Sequence, residues 1–366
     1  KGGFLEIIDG KFGKHVDQVP EGATIIDYSG YSIAPGLVDT HIHGFGGVDV
    51  MDNNIEGTLH TMSEGLLSTG VTSFLPTTLT SSYEQLLAVT ENIGARYQEA
   101  SGAKIRGIYF EGPYFTEKYK GAQNPAYMKD PRMDEFRAWQ KAANGLLNKI
   151  ALAPERDGVE DFVRTVTGEG VTVALGHSNA TFDEAKKAVD AGASVWVHAY
   201  NGMRGLTHRE LGMVGAMYQL PHTYAELICD GHHVDPKACD ILLKQKWVEN
   251  IALITDCMTA GGLEDGDYML GEFPVIVENG TARLKSTGNL AGSILKLKDG
   301  LKNVVEWGIA NPHEAVMMAS LNPAKSVHID DVCGQIREGY DADFIVLDKD
   351  LELVATFLDG QKRYEV

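Results

Sequence analysis

The sequence has few cysteines and no long apolar run. Its four cysteines are far apart and form no C-x-x-C pair, which argues against a zinc knuckle or a disulfide framework. No apolar run approaches the ~18 residues that a membrane-spanning helix needs. No segment is typical of a signal peptide, although the printed chain begins at Lys1. We therefore expect a cytoplasmic protein with reduced thiols.

Basic residues are also scarce, with 32 Lys and Arg against 51 Asp and Glu and a formal net charge of −19. Such a surface repels nucleic acids and anionic membranes, so neither is expected as a partner. One small anion needs only a local positive site and is not excluded. The sequence also lacks tandem repeats, and no G-x-G-x-x-G follows a strand pattern, which argues against a dinucleotide-binding sheet.

What the sequence does contain is an alternation of short β-branched runs with longer helical patterns. The predicted strands are Leu37–His43, Val71–Pro76, Ile105–Phe110, Lys149–Ala153, Val171–Leu175, Ser194–Val197, Tyr224–Cys229 and Ile251–Thr255. The predicted helical segments include Ile55–Ser68, Tyr83–Ala100, Pro131–Leu147 and Thr181–Ala191, with Asp130 and Thr181 as candidate helix caps. This order predicts an α/β fold, a (β/α)8 TIM-type barrel. A doubly wound open sheet is the alternative.

Both chain ends have a different pattern. Phe4–Ser32 predicts short strands and turns, Gly334–Asp348 predicts strand, turn, strand, and Leu353–Leu358 with Gln361–Glu365 predicts a hairpin around Asp359-Gly360. We expect these ends to form one small β-sandwich domain from residues 1–35 and 326–366, beside a barrel of residues 36–325. A further hairpin, Phe273–Glu278 with Thr281–Leu284, is expected after the eighth barrel strand.

Six side chains that can bind metal lie at the ends of five predicted strands. They are His41 and His43 on the first, Glu111 on the third, His177 on the fifth, His198 on the sixth and Asp256 on the eighth. Residues i and i+2 of a strand point to the same side, so the H-x-H pair can hold one ion. In a barrel, the carboxyl ends of the strands form the functional mouth.

Each of these residues also has an ordinary structural interpretation, such as a core histidine or a capping carboxylate. Their coincidence at five strand ends favours a metal site. Mixed imidazole and carboxylate donors suit zinc, with iron or manganese as alternatives. Asp256 is the candidate general base and acid, since a carboxylate beside a metal can take a proton from water and return it to a leaving group.

A second cluster indicates the substrate. Asn201-Gly202 follows the sixth strand, Arg209 comes shortly after it, and Asp230-Gly231-His232-His233 follows the seventh. Arg209 offers a bidentate fork for a phosphate or carboxylate, and Asn201 adds hydrogen-bond donors. A surface salt bridge is an equally good interpretation of Arg209.

With these residues assembled, the chain resembles the amidohydrolase superfamily and, within it, the N-acetylglucosamine-6-phosphate deacetylases. The resemblance runs from Ala34-Pro-Gly-Leu-Val-Asp-Thr-His-Ile-His-Gly44 to Gly334-x-Ile-x-x-Gly339-x-Asp-Ala-Asp343, a closing segment that the whole superfamily shares. More particular to the deacetylases are Glu111-Gly-Pro113, Gly121-Ala-Gln-Asn-Pro125, Gly176-His-Ser178, His198-x-x-Asn201, Asp230-Gly-x-His233 and Leu290-Ala-Gly-Ser293. Many superfamily members have a carboxylated lysine after the fourth strand, where this chain has Ala153-Pro154-Glu155.

The resemblance implies a role for each matching residue. Glu111, His177 and His198 would hold the main divalent ion, His41 and His43 match positions that hold a second ion in some members, and Asp256 would be catalytic. Gln123, Asn201, Gly202, Arg209, His233 and Leu290 match substrate-binding positions. The arginine reaches the neighbouring subunit's site in this family, which implies a homodimer.

The implied activity is hydrolysis of the acetamide of N-acetyl-D-glucosamine 6-phosphate to D-glucosamine 6-phosphate and acetate by a metal-activated water, in amino-sugar catabolism. Two alternatives remain open from the sequence. One is an amidohydrolase that acts on N-acyl amino acids or cyclic amides. The other is a non-catalytic barrel scaffold, which the presence of all six candidate residues disfavours.

Overall fold

The computed structural model describes residues 3–52 and 57–366. Its strands are β1 (Phe4–Ile8), β2 (Lys11–Val16), β3 (Ser32–Pro35), β4 (Leu37–Ile42), β5 (Gly44–Phe45), β6 (Val48–Asp49), β7 (Val71–Thr78), β8 (Lys104–Ile105), β9 (Ile108–Tyr114), β10 (Leu147–Leu152), β11 (Thr172–Leu175), β12 (Val195–Trp196), β13 (Tyr224–Ile228), β14 (Ile251–Ile254), β15 (Gly266–Leu270), β16 (Phe273–Glu278), β17 (Thr281–Leu284), β18 (Phe344–Leu347), β19 (Leu353–Leu358) and β20 (Gln361–Glu365). Its helices are α1 (Thr58–Leu66), α2 (Tyr83–Arg96), α3 (Met133–Ala142), α4 (Val159–Gly168), α5 (Phe182–Ala191), α6 (Gly212–Gln219), α7 (Pro236–Lys246), α8 (Leu297–Glu306), α9 (Pro312–Ala319) and α10 (Leu321–Ser326).

Eight parallel strands form the barrel within the described ranges, in the order β4-β7-β9-β10-β11-β12-β13-β14. A parallel bridge between Ile42 and Cys257 joins the last strand to the first. The amide N–H of His43 donates to the carbonyl of Cys257 at 2.8 Å, and that of Asp256 donates to the carbonyl of His41 at 2.9 Å. The barrel therefore closes at its carboxyl end, beside the first H-x-H motif, which confirms the predicted (β/α)8 class.

The barrel interior is packed below the mouth. Buried side chains of the barrel strands fill it, together with side chains from the carboxyl-terminal part of α10 and just after it. This cluster includes Val38, Leu75, Tyr109, Ala151, Ala174, Val195, Val197, Ala324 and Val327. No helix among residues 3–52 and 57–366 has the length and apolar character that crossing a membrane requires.

The eight predicted barrel strands are all present, with ends displaced by at most a few residues. Thr181 caps α5 as expected, because its side chain accepts from the Glu184 amide while the Glu184 carboxylate accepts from the Thr181 amide. The prediction that Asp130 begins a helix is wrong: α3 starts at Met133 after Arg132, without a side-chain cap. The predicted start at Ile55 lies outside the described residues, and α1 is observed from Thr58.

The two chain ends meet as expected. They form a four-stranded antiparallel sheet, β20-β19-β18-β3, and the β1-β2 hairpin packs on it through Phe12, whose ring lies 6.1 Å from that of Phe344. Two strands joined by a turn are expected over Gly334–Asp348. The second is present as Phe344–Leu347, and the prediction of the first is wrong. The hairpin after the eighth barrel strand is confirmed, and β15 extends it to three strands. The domain boundaries at residues 35 and 325 stay a prediction.

A cluster of ion pairs joins the small sheet to the amino end of the barrel. Asp341, from the shared closing segment, lies 2.5 Å from Lys11 Nζ, 3.0 Å from Lys104 Nζ and 2.5 Å from Arg106 Nη2. These cations lower the pKa of Asp341 against the opposing effect of burial. The closing motif, residues 334–343, therefore lies at the end of the barrel opposite the mouth and joins the two parts.

We predict that Asp341→Asn lowers the free energy of unfolding by about 2 kcal/mol at neutral pH, the usual size of a hydrogen-bonded charge contact. Because the folded-state pKa is depressed, this stabilisation is present above the unfolded pKa of about 4 and disappears as pH falls through the folded value. Denaturant unfolding of both proteins at pH 7 and pH 2 measures this, and the difference should be smaller at pH 2. A difference that is equally large at both pH values would contradict it.

Candidate metal centre and active site

The six candidate side chains converge at the barrel mouth in two groups. Among the described residues, His41, His43 and Asp256 form one group, and Glu111, His177 and His198 form the other. Within each group the nearest ligand atoms lie within 4.8 Å of one another, and all six residues are buried. Strands distant in sequence therefore place six donor side chains in one small volume, as their positions at strand ends predict.

The backbone at three of these strand ends is unusual. His177, His198 and Asp256 have φ values of 44°, 25° and 51°, in the left-handed region that side chains other than glycine rarely adopt. Such strain is retained where surrounding structure enforces it, and it concentrates at functional sites. Here each strand ends in a residue that turns its side chain into the mouth.

Glu111 lies between the two groups. Its Oε1 is 3.1 Å from Nε2 of His177 and 3.1 Å from Nε2 of His198. Its Oε2 is 3.2 Å from Nε2 of His43. One carboxylate therefore faces both groups with different oxygens.

All four histidines direct Nε2 towards the centre of the site, because Nδ1 of each lies against an acceptor atom of the protein. Nδ1 of His43, His177 and His198 faces the carbonyls of Thr77, Tyr119 and Asn201 at 3.1, 2.8 and 3.1 Å. Nδ1 of His41 faces Oε2 of Glu226 at 3.0 Å. Such outer contacts fix the tautomer of a metal-binding histidine and leave Nε2 free for the ion.

The electrostatics of the site favour a cation. Burial lowers the pKa of His41, but Glu226, Asp256 and Glu111 together outweigh it and raise the pKa to about 9. Burial raises the pKa of Glu111, but the surrounding histidines outweigh it and lower the pKa well below its usual range. The Nε2 atoms of His177 and His198 face each other at 3.0 Å and those of His41 and His43 at 3.3 Å. Convergent lone pairs and buried carboxylates fit a divalent ion at each group.

Gln123 lies directly beside the metal groups. Its Nε2 donates to Oε2 of Glu111 at 2.6 Å, and its Oε1 accepts from the amide of Thr80 at 2.8 Å. Asn201 and Gly202 border the His177–His198 side, where a Cβ on Gly202 would lie 2.9 Å from Nδ1 of His177. Only glycine fits this position, with φ 60°, so the backbone can approach the site closely.

The predicted substrate-binding residues His233, Leu290 and Arg209 differ in exposure. His233 is largely buried, and its Nδ1 lies 2.6 Å from Oδ2 of Asp230. Burial lowers the pKa of His233, but the contact with Asp230 outweighs it and raises the pKa, which suits an anion-binding imidazole. Leu290 is half-buried and bridges to Arg283, whereas Arg209 lies on an exposed loop.

Sequence reasoning missed two charged residues inside the barrel, Lys149 on β10 and Glu226 on β13. Both are fully buried and form an ion pair. Lys149 and His41 together lower the pKa of Glu226 to about 2, against the opposing effect of burial. Lysine and glutamate are rarely buried unless they are paired. A single charged residue in each of two otherwise apolar barrel strands was therefore the sequence signal that could have indicated this ion pair.

Comparisons with known proteins agree with this geometry. A profile of the amidohydrolase family matches residues 32–363. The chain is 39% identical over 358 residues to an N-acetylglucosamine-6-phosphate deacetylase of Vibrio furnissii, covering 98% of this chain and 87% of that protein. It is also 39% identical over 361 residues to an N-acetylgalactosamine-6-phosphate deacetylase of Escherichia coli O157:H7, covering 98% and 93%.

A solved structure is similar over the same extent. An N-acetyl-D-glucosamine-6-phosphate deacetylase variant from Mycobacterium smegmatis, in complex with N-acetyl-D-glucosamine 6-phosphate, has a TM-score of 0.92 and 30% identity, covering 98% of this chain and 94% of that one. The profile spans the barrel and the sheet built from both chain ends. The chain therefore belongs to the amidohydrolase family.

Proposed function

We propose that the protein hydrolyses the acetamide of N-acetyl-D-glucosamine 6-phosphate to D-glucosamine 6-phosphate and acetate, in amino-sugar catabolism. The observation that carries this proposal is the pair of buried donor groups around Glu111 at the carboxyl end of the barrel, one of which includes Asp256. The full-length similarity to sugar-phosphate deacetylases supports the substrate class.

Glu111, His177 and His198 would hold the main divalent ion, and His41, His43 and Asp256 a second one. Zinc suits these donors best, with iron or manganese as alternatives. When bound, such an ion activates water for attack and offsets negative charge that develops on the amide oxygen.

The chain's own residues supply the proton transfers and the orientation. Asp256 Oδ1 lies 3.1 Å from Nε2 of His43, and the histidines lower the pKa of Asp256 although burial raises it. An ionised Asp256 accepts the water proton and then delivers it to the departing amine nitrogen. Asn201, the Gly202 backbone, His233, Arg209 and Leu290 would bind the sugar phosphate, and Gln123 would lie near the amide.

Arg209 supports a homodimer. Its loop is exposed and carries Leu206, which is 48% exposed. An arginine that extends from its own subunit can complete the phosphate site of a neighbouring copy. We propose a homodimer on this basis, and the cytoplasmic location stays a prediction.

The direct test is acetate release from N-acetyl-D-glucosamine 6-phosphate by the zinc-loaded protein. The C4 epimer, N-acetyl-D-galactosamine 6-phosphate, is the second candidate, because relatives with either name are 39% identical to this chain. Comparing kcat/KM for the two epimers identifies the preferred one. No acetate from either substrate, with zinc bound, would refute the proposal.

We predict that Arg209→Ala lowers kcat/KM for the phosphorylated sugar by about 100-fold, since a charge-assisted contact to phosphate contributes several kcal/mol at most. The loss should fall mainly on KM. The matched comparison is N-acetyl-D-glucosamine without phosphate, for which the variant and the unmodified protein should differ little. An equal loss on both substrates, or none on either, would favour an amidohydrolase that acts on a substrate without phosphate.

A further inference from the structure

Three buried side chains form a continuous chain of contacts beneath the metal groups. Lys149 on β10 pairs with Oε1 of Glu226 on β13, and Oε2 of Glu226 lies 3.0 Å from Nδ1 of His41 on β4. All three side chains are 0% exposed. The contacts therefore cross the barrel interior from one wall to another and are shielded from water.

Glu226 has a second contact in the site. Its Oε2 also accepts the backbone N–H of His198 at 3.1 Å. His41 belongs to one metal group and His198 to the other. A single carboxylate oxygen thus joins the strand ends that carry the two groups.

Lys149 has an environment that fixes its position. Its Nζ lies 4.0 Å from the centre of the Tyr109 ring, and that ring packs edge-on against His41 with centroids 5.0 Å apart. The ammonium therefore has the aromatic face on one side and Glu226 on the other. This arrangement keeps Oε1 of Glu226 occupied and turns Oε2 towards His41 and His198.

We propose that Glu226 and Lys149 are positioning residues that hold His41 with Nδ1–H towards Glu226 and Nε2 towards the metal centre. The inference rests on the proposed metal site but not on the identity of the substrate. Zinc binding therefore tests it independently of acetate release.

The chemistry of an amide explains what Glu226→Gln should do. When the oxygen of the introduced side-chain amide accepts from Lys149, the NH2 group of that amide faces the N–H donors of His41 and His198. When the amide oxygen turns to His41 and His198, the NH2 group faces the Lys149 ammonium instead. Each orientation places donor against donor, and only removal of Lys149 relieves the second one.

The experiment measures the zinc dissociation constants of the full chain by competition with a chelator. We expect Glu226→Gln to weaken one zinc site by about 10–100-fold, the usual effect of losing an outer partner of a metal ligand. Lys149→Met should weaken it about 10-fold, because it frees Glu226 to turn away. The double variant should bind zinc more tightly than Glu226→Gln alone.

Lys246→Met is the matched control, since Lys246 is also buried but bonds to Leu220 and Thr223 on the outer side of the barrel. It should lower Tm and leave zinc affinity unchanged.

If Glu226→Gln does not fold, Lys149→Met and the double variant provide the comparison. Unchanged zinc affinity in the folded variants, or binding of a single zinc by the unmodified chain, would overturn the inference. Altered zinc binding without any acetate release would refute only the proposed substrate.

Discussion

Asp256→Asn is expected to reduce kcat for acetate release by about 10²–10⁴-fold, the range that loss of a general acid or base produces. Asparagine preserves the shape of the side chain and can still direct an oxygen towards His43. It cannot take a proton from water and return it to the amine. The expected signature is therefore a loss in kcat with little change in KM, measured by steady-state acetate release.

The main ion should still bind to this variant, because its expected ligands Glu111, His177 and His198 form the other group. Zinc content of the purified variant checks that. Asp343→Asn is the matched control: Asp343 is also a buried aspartate, 5% exposed against 8% for Asp256, but it lies with Lys104 at the opposite end of the barrel. It should leave kcat unchanged. If Asp256→Asn kept full kcat, another group would carry the proton.

The sequence predicts most of the barrel because each strand is a short β-branched run followed by a helical pattern. Strand ends also predict the six donor residues, since parallel strands of a barrel place their carboxyl ends at one mouth. What local pattern cannot predict is pairing across the barrel. The contact of Lys149 with Glu226 joins positions 77 residues apart, and only the closed sheet brings them together.

The errors in the sequence interpretation have a similar origin. Asp130 precedes Pro131, a combination typical of a helix start, yet the helix begins after Arg132, and the Asp130 carboxylate lies 3.4 Å from Nη1 of Arg156 instead. The segment before Phe344 alternates as a strand does, but its two aspartates bond to Lys104 instead of continuing a ladder. In both places tertiary contacts override the local preference.

Glu111→Gln is expected to have the largest effect on metal binding, because the Glu111 carboxylate lies within 3.2 Å of Nε2 atoms in both groups. The substitution removes a negative charge from a buried site that would hold one or two divalent ions. It also introduces an NH2 group. With its oxygen towards His177 and His198, that NH2 group faces Nε2 of Gln123, which donates to the carboxylate at present.

The side-chain amide of Gln123 cannot rotate to relieve this conflict without losing the hydrogen bond that its Oε1 accepts from the Thr80 amide. We therefore expect zinc affinity to fall by more than about 100-fold, beyond the loss that follows removal of an outer partner. Acetate release should fall in parallel and recover in part at high zinc concentration. Glu184→Gln is the matched control, since Glu184 is a partly buried carboxylate that caps α5 outside the site. Unchanged zinc affinity in Glu111→Gln would mean that the ions are held without this carboxylate, and the proposed ligand set would be wrong.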